Sequence, residues 1–158
     1  MFRRLQVTII ILLVPLLGLY WYAERNDVPL KEFLFPGTPV LRIGDISMQV
    51  AIADSPQERE RGLSGRNSLQ LHGMLFVFDS SDYYDVWMKN MRFPIDVIWI
   101  SEDLRVVGIT EGLRPESYPR IFEPPQPVRY FVETNIHFAE SFGIDIGDTV
   151  VLPAKVRE

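Results

Sequence analysis

Trp87-Met88-Lys89-Asn90 packs the most recognition chemistry into the shortest span of this chain. On an extended strand over residues 84–90, Trp87 and Lys89 project from the same face. An indole face beside an ammonium, with the Asn90 amide at the strand end, can hold a sugar ring or a carboxylate. The plainer alternative is a Trp lying on a half-buried sheet, Lys89 snorkelling beside it and Asn90 serving the turn before Pro94. Asp96 stands among apolar neighbours, so its carboxylate needs a partner such as Arg66 or Lys89. Such a pair in a cleft is a candidate site, and in the core it is a structural ion pair. Trp87, Lys89, Asn90, Arg66 and Asp96 therefore form the candidate ligand-binding set, and no residue is singled out as catalytic. Glu58 is a weaker acid candidate, because Ser55-Pro56-Gln57-Glu58 reads as a capping box that already explains it.

Several other chemistries are excluded or disfavoured. The chain has no cysteine, which rules out disulfides, thiolate metal sites and Cys nucleophiles. His72 and His137 are far apart and belong to no His-x-His or His-Glu-x-x-His pattern, so no zinc site is expected. Asp79, Asp82 and Asp85 recur every third residue, unlike a calcium loop, and a polar turn explains them. No nucleophile elbow, phosphate loop or dinucleotide fingerprint occurs, and no cofactor is expected. Net charge is −5; leaving out residues 1–24, with Arg3, Arg4 and Glu24, gives 14 Lys and Arg against 20 Asp and Glu. Nucleic acid, whose binding rests on neutralised phosphates, is not an expected partner.

The elements that must position these residues are short. Pro39–Ile43 and Ile46–Ala53 flank Gly44-Asp45, a two-residue hairpin turn. A short helix begins after Ser55, with Pro56 in its first turn and Gly62 as its stop. Met74–Phe78 reads as a strand. Tyr84, Val86 and Met88 alternate with Asp85, Trp87 and Lys89 on the next. Ile95–Ile100 is nearly all apolar, which predicts a central strand covered on both faces. Arg105–Ile109 and Val128–Glu133 are further strands. Glu111–Pro127, with five prolines and no period, predicts a long loop. Asn135–Phe142 fits a helix capped by Asn135 and ended by Gly143, before a last strand around Val150–Leu152. The expected fold class is α+β and β-dominated: a mostly antiparallel sheet or small barrel with two short helices.

Upstream, Arg3-Arg4 precede an uncharged apolar run from Leu5 to Ala23. Nineteen residues rise about 28 Å, near the ~30 Å hydrocarbon core of a bilayer. Tyr20, Trp21 and Tyr22 fall at the far end, where aromatic rings favour the interface. A single transmembrane helix over residues 1–24 is expected, with the positive-inside bias placing everything beyond it outside the cytoplasm. Cleavage as a signal peptide is the alternative, although Trp21 would occupy the −3 position. Residues 25–37 then form a linker and 38–158 the globular domain, so the expected location is the cell membrane, single-pass, with the domain extracytoplasmic.

A longer pattern runs through the domain. It comprises Ala53-Asp54-Ser55-Pro56-Gln57-Glu58-Arg59-Glu60-Arg61-Gly62-Leu63, Arg66, Leu69, Gly73-Met74-Leu75-Phe76-Val77-Phe78, Trp87-Met88-Lys89-Asn90, Pro94-Ile95-Asp96, Arg129-Tyr130 and Gly143–Val150. From about residue 40 to 153 this resembles the domain of unknown function 192 found in bacteria and archaea. The resemblance implies a compact, mostly β fold, often behind a signal or anchor segment, and carries over no activity. The family usually has a hydrophobic residue after its Gly-Leu pair, where this chain has Ser64-Gly65; the departure bears on the packing of that turn.

Three functions fit these residues. One is a non-catalytic envelope module binding a small ligand, glycan or protein through the Trp87/Lys89 face. The second is a hydrolase or lyase using Glu58 or Asp96 with Lys89 or Arg66. The third is an assembly partner of another membrane protein. Binding leads, because no nucleophile–base pair or metal set can be assembled from the sequence.

Overall fold

The computed structural model describes residues 37–156, and the expected membrane segment lies outside them. Among the described residues no helix is long and apolar enough to cross a membrane.

Among the described residues nine strands and two short α-helices follow one another: β1 (Val40–Ile43), β2 (Ile46–Ala53), α1 (Pro56–Arg61), β3 (Gly73–Asp82), β4 (Val86–Trp87), β5 (Ile95–Ile100), β6 (Val106–Leu113), β7 (Ile121–Phe122), β8 (Val128–Asn135), α2 (Phe138–Phe142) and β9 (Val150–Val151). Seven strands form one sheet in the order β6-β5-β8-β3-β2-β1-β9, and β4 pairs with β7 in a separate ribbon. The Gly44-Asp45 turn produces the expected β1–β2 hairpin, with Ile43 opposite Ile46.

The sheet curls into a half-barrel. Its two edges approach at one end, where Arg105 bridges Thr149 and the Val150 N–H donates to the Leu104 carbonyl at 2.8 Å. Pairing is antiparallel except between β2 and β3, which run parallel. The parallel pair requires the chain to return to the same end of the sheet, as parallel neighbours always do. Residues 54–72, with α1 at their start, make that crossover.

Alternation sends side chains to both faces of the sheet, and both faces are covered. One apolar cluster contains Leu41, Ile43, Leu75, Ile98, Val132 and, from α2, Phe138 and Ala139. The other contains Met74, Phe76, Val97, Trp99 and Phe131, together with Leu63 from the crossover and Val86 and Met88 around β4. β5 is buried at all six positions, as its continuous apolar composition predicts.

Two expectations need revision. The 111–127 segment is more ordered than a loop: β6 extends to Leu113, and β7 pairs Val86 with Phe122 and Trp87 with Ile121. Gly108 permits this covering, since a methyl group there would stand 2.8 Å from Pro125 Cδ. Asn135 does not cap the second helix; it ends β8, and α2 starts only after His137, which has a left-handed backbone. Arg59 Nη1 donates to the Val77 carbonyl at 2.7 Å, and the guanidinium lies 5.0 Å from the Phe78 ring. It straps α1 onto β3.

Gly73 shows how tightly β3 and β8 approach. A Cβ there would stand 2.7 Å from the Glu133 carbonyl oxygen and 3.1 Å from Met48 Cε. Backbone cannot move aside as a side-chain tip can, so Gly73→Ala should cost about 2 kcal/mol through overpacking. Urea unfolding measures this as a lower midpoint at unchanged slope.

Candidate functional site

A narrow cleft opens on the second apolar face, between the sheet, the end of α1 and the β4 segment. Its volume is about 70 Å³. Pockets that enclose whole drug-sized ligands are several-fold larger, roughly 300–1,000 Å³, so this cleft takes one chemical group and not a whole molecule.

The crossover fixes one wall. Ser55 and Glu58 form the expected capping box, with the Glu58 N–H donating to Ser55 Oγ and the Ser55 N–H donating to Glu58 Oε2 at 3.1 Å. Ser55 Oγ also donates to Glu58 Oε2 at 2.7 Å, and this bond first, then the one from the Ser55 N–H, holds the exposed Glu58 carboxyl below the ordinary carboxylate range. Gly62 ends the helix with φ +45°, close against the Phe76 ring. The following turn is stitched to the β4 segment by polar bonds. Ser64 Oγ donates to the Lys89 carbonyl at 3.0 Å, and the Gly65 N–H donates to the Asn90 carbonyl at 2.9 Å. At the turn where this chain departs from the family pattern, the Ser64 side chain thus fastens the crossover to the β4 segment by a hydrogen bond.

Trp87 lies at the lip, 51% exposed. Lys89 Nζ stands 5.1 Å from its ring and Tyr118 meets it edge-on at 6.2 Å. The strand is only two residues long, yet the alternation expected over 84–90 holds: Val86 and Met88 are buried, Trp87 and Lys89 exposed. Asn90 adopts φ +58° in a turn and borders a wide, shallow depression with Ser64, Gly65 and Arg92.

Asp96 and Arg66 are not brought to the cleft. Asp96 is fully buried, and its partners are neither Arg66 nor Lys89 but backbone amides: Gly112 N–H at 2.9 Å and Phe138 N–H at 3.1 Å. Its strand neighbours Ile95 and Val97 belong to the cleft-side cluster, so Asp96 projects from the opposite face. Arg66 is half-buried in the crossover, where its N–H donates to the Leu63 carbonyl.

The residue that sequence reasoning passed over is Glu133. It sits in mid-β8, opposite Met74 on one side and Val97 on the other, both buried. It lines the cleft and is 7% exposed. Among the described residues its carboxyl makes no hydrogen bond and no ion pair, and burial pushes it up from 4.5 to about 8. The signal was the strand's own alternation, which puts Glu133 on the same face as Phe131. Among the described residues no group of three or more His, Asp or Glu side chains is placed to hold a metal ion.

The comparisons agree with this architecture. No functionally curated protein matches the sequence. A solved structure from Sinorhizobium meliloti 1021, provisionally described as a transcription regulator, superimposes with a TM-score of 0.68 at 30% identity, covering 73% of this chain and 94% of that one. A protein of unknown function from Novosphingobium aromaticivorans DSM 12444 gives 0.66 at 25% identity, covering 71% and 83%. The family model for domain of unknown function 192, described as "Uncharacterized ACR", matches residues 40–152. With most of the chain matched, this protein belongs to the domain of unknown function 192 family.

Proposed function

We propose that this protein is a membrane-tethered binding module of the cell envelope, whose ligand lies on the Trp87 lip and places one group in the cleft below. The observation that carries this reading is a half-exposed indole, flanked by Lys89 and Tyr118, set over a cleft whose lining includes Glu133, a largely buried acid with no protein partner among the described residues. Exposed aromatic surface of this kind is stable in water but gains on being covered. Flat rings with a cation nearby suit a sugar face or another planar ligand. The tether and the extracytoplasmic location rest on the Leu5–Ala23 run and its Arg3-Arg4 head. Regulation of transcription, suggested for the Sinorhizobium relative, is not adopted here, because the acidic balance of residues 25–158 opposes phosphate binding.

A hydrolase or lyase is the second reading, and one observation supports keeping it. Glu58 is committed to its cap and Asp96 to two amides, but Glu133 is an acid held largely protonated at neutral pH in a cleft. Such a group has the protonation state a general acid needs.

The test is a melting screen of the full chain in detergent micelles against cell-wall fragments, oligosaccharides, organic acids and nucleotides. A ligand at 100 times its dissociation constant adds about 2.7 kcal/mol, a midpoint rise of several degrees. The expected hit disappears in Trp87→Ala and weakens in Lys89→Ala. A flat screen with cooperative melting would move the reading to an envelope protein partner.

A further inference from the structure

We propose that the cleft beneath Trp87 recognises an ammonium head group, held by the carboxylate of Glu133 against walls that include Phe76, Phe131 and Trp87. This deepens the binding-module reading and rests on it.

The first ground is that Glu133 has no structural task. Buried carboxylates normally hold something: Asp96 in this same sheet accepts from two backbone amides. Glu133 faces Met74 and Val97 across the strands and accepts from nothing among the described residues. A carboxyl in that setting costs stability unless a partner arrives from outside. The second ground is size, since a cleft of about 70 Å³ admits a single head group. The third is the wall, because aromatic rings attract a desolvated cation through their quadrupole. Phe76 and Phe131 stack at 4.4 Å and both line the cleft with Trp87.

The surrounding charges favour a cation. The end of α1 contributes Arg59, Glu60 and Arg61, and the segment before β4 contributes Asp85. Arg59 is already bound to the Val77 carbonyl and the Phe78 ring, and Arg61 makes no ion pair among the described residues. With Glu133 ionised, three carboxylates face two guanidiniums, one of them committed. Lys89 stays above the indole at 5.1 Å and carries the lip, not the floor.

Binding is coupled to a proton. Below pH about 8 the free cleft holds protonated Glu133. An incoming ammonium stabilises the ionised form, so one proton leaves Glu133 for solvent as the cation enters. Affinity then rises about tenfold per pH unit up to that value and levels above it. An amino sugar and a lysine-like side chain both carry this head group.

The experiment is an NMR titration of the full chain in micelles with methylammonium, and with methanol as the uncharged control, at pH 6 and pH 8. The expected result is binding of methylammonium alone, about 50-fold tighter at pH 8 than at pH 6, since Glu133 is half ionised at the higher pH. It should vanish in Glu133→Gln, a variant whose folding is checked by its melting midpoint. Glucosamine against N-acetylglucosamine, and Nα-acetyl-lysine methylamide against its ε-acetylated form, then separate the two sources at pH 7. Equal binding of methanol, affinity independent of pH, or binding that survives Glu133→Gln would each overturn the ammonium site. A ligand that needs Trp87 but carries no amine would overturn it too, while leaving the binding-module reading intact. No response to methylammonium and no Trp87-dependent ligand would remove both.

Discussion

Glu133→Gln should make the protein more stable, by a margin that grows as pH rises from 4.5 to about 8 and is constant above that. The sign follows from where the proton sits. The folded state holds the Glu133 proton up to about pH 8, while the unfolded chain releases it near the ordinary value of 4.5. Between these values folding takes up a proton, so stability falls with pH by about 1.4 kcal/mol per unit. Above about 8 both states are ionised and the full desolvation penalty of this largely buried charge remains. Glutamine keeps the shape and removes the charge. Its amide is as poorly partnered as the carboxylic acid, but that cost does not change with pH. The accumulated difference is on the order of several kcal/mol, which is on the order of 10 °C in midpoint for a domain of this size. Urea unfolding of both proteins from pH 4 to pH 9 measures it. Parallel curves would show that Glu133 is not held protonated, and the proton coupling proposed for the cleft would fall with it.

Stability and function pull apart at this residue. A strand centre flanked by Met74 and Val97 is a place for another Val or Phe. A carboxyl there breaks the local rule of the sheet with no internal compensation among the described residues. Positions where local consistency fails are where binding or catalysis is expected to reside.

That failure of pattern is legible in Val128–Asn135, where Glu133 alternates in step with Phe131, but alternation alone does not say that this face is covered. Trp87 and Lys89 were easier to find, because their relation is local: two residues apart, they share a face on any extended backbone. The hairpin at Gly44-Asp45 and the cap at Ser55–Glu58 were legible for the same reason, as contacts within four residues. The unread features depend on distant parts of the chain. Nothing near β2 or β3 specifies that they pair in parallel; that follows from the path of residues 54–72 between them. β7 is two residues in a proline-rich stretch and exists because β4 offers it a partner. Arg66 and Asp96 looked like a potential pair in sequence, but alternation along β5 turns Asp96 to the face opposite the cleft.

What Asp96 does there makes it the second large effect: Asp96→Ala should cost about 4 kcal/mol and unfold part of the population at 37 °C. β5 and β6 slip register between Ile95 and Val97, where Gly112 takes φ +67° in the bulge and its N–H leaves the ladder. Asp96 Oδ1 accepts that N–H at 2.9 Å. Its Oδ2 accepts from Phe138 N–H, the first residue of α2, at 3.1 Å. His137 precedes that helix without capping it through its side chain, so a carboxylate forty-two residues earlier supplies the cap instead. Alanine leaves both amides unpaired, the Phe138 one buried and the Gly112 one partly so, at about 1–3 kcal/mol each. Asparagine keeps one acceptor oxygen and should lose roughly half as much. Hydrogen exchange at Gly112 and Phe138 reads the two bonds separately, and both amides should lose protection in the alanine variant. Unchanged protection would mean that other groups satisfy them and that Asp96 is free for another role. With protection lost, weak ligand binding by an Asp96 variant reports a loosened sheet, and only Glu133 and Trp87 variants, which keep it, report on the cleft.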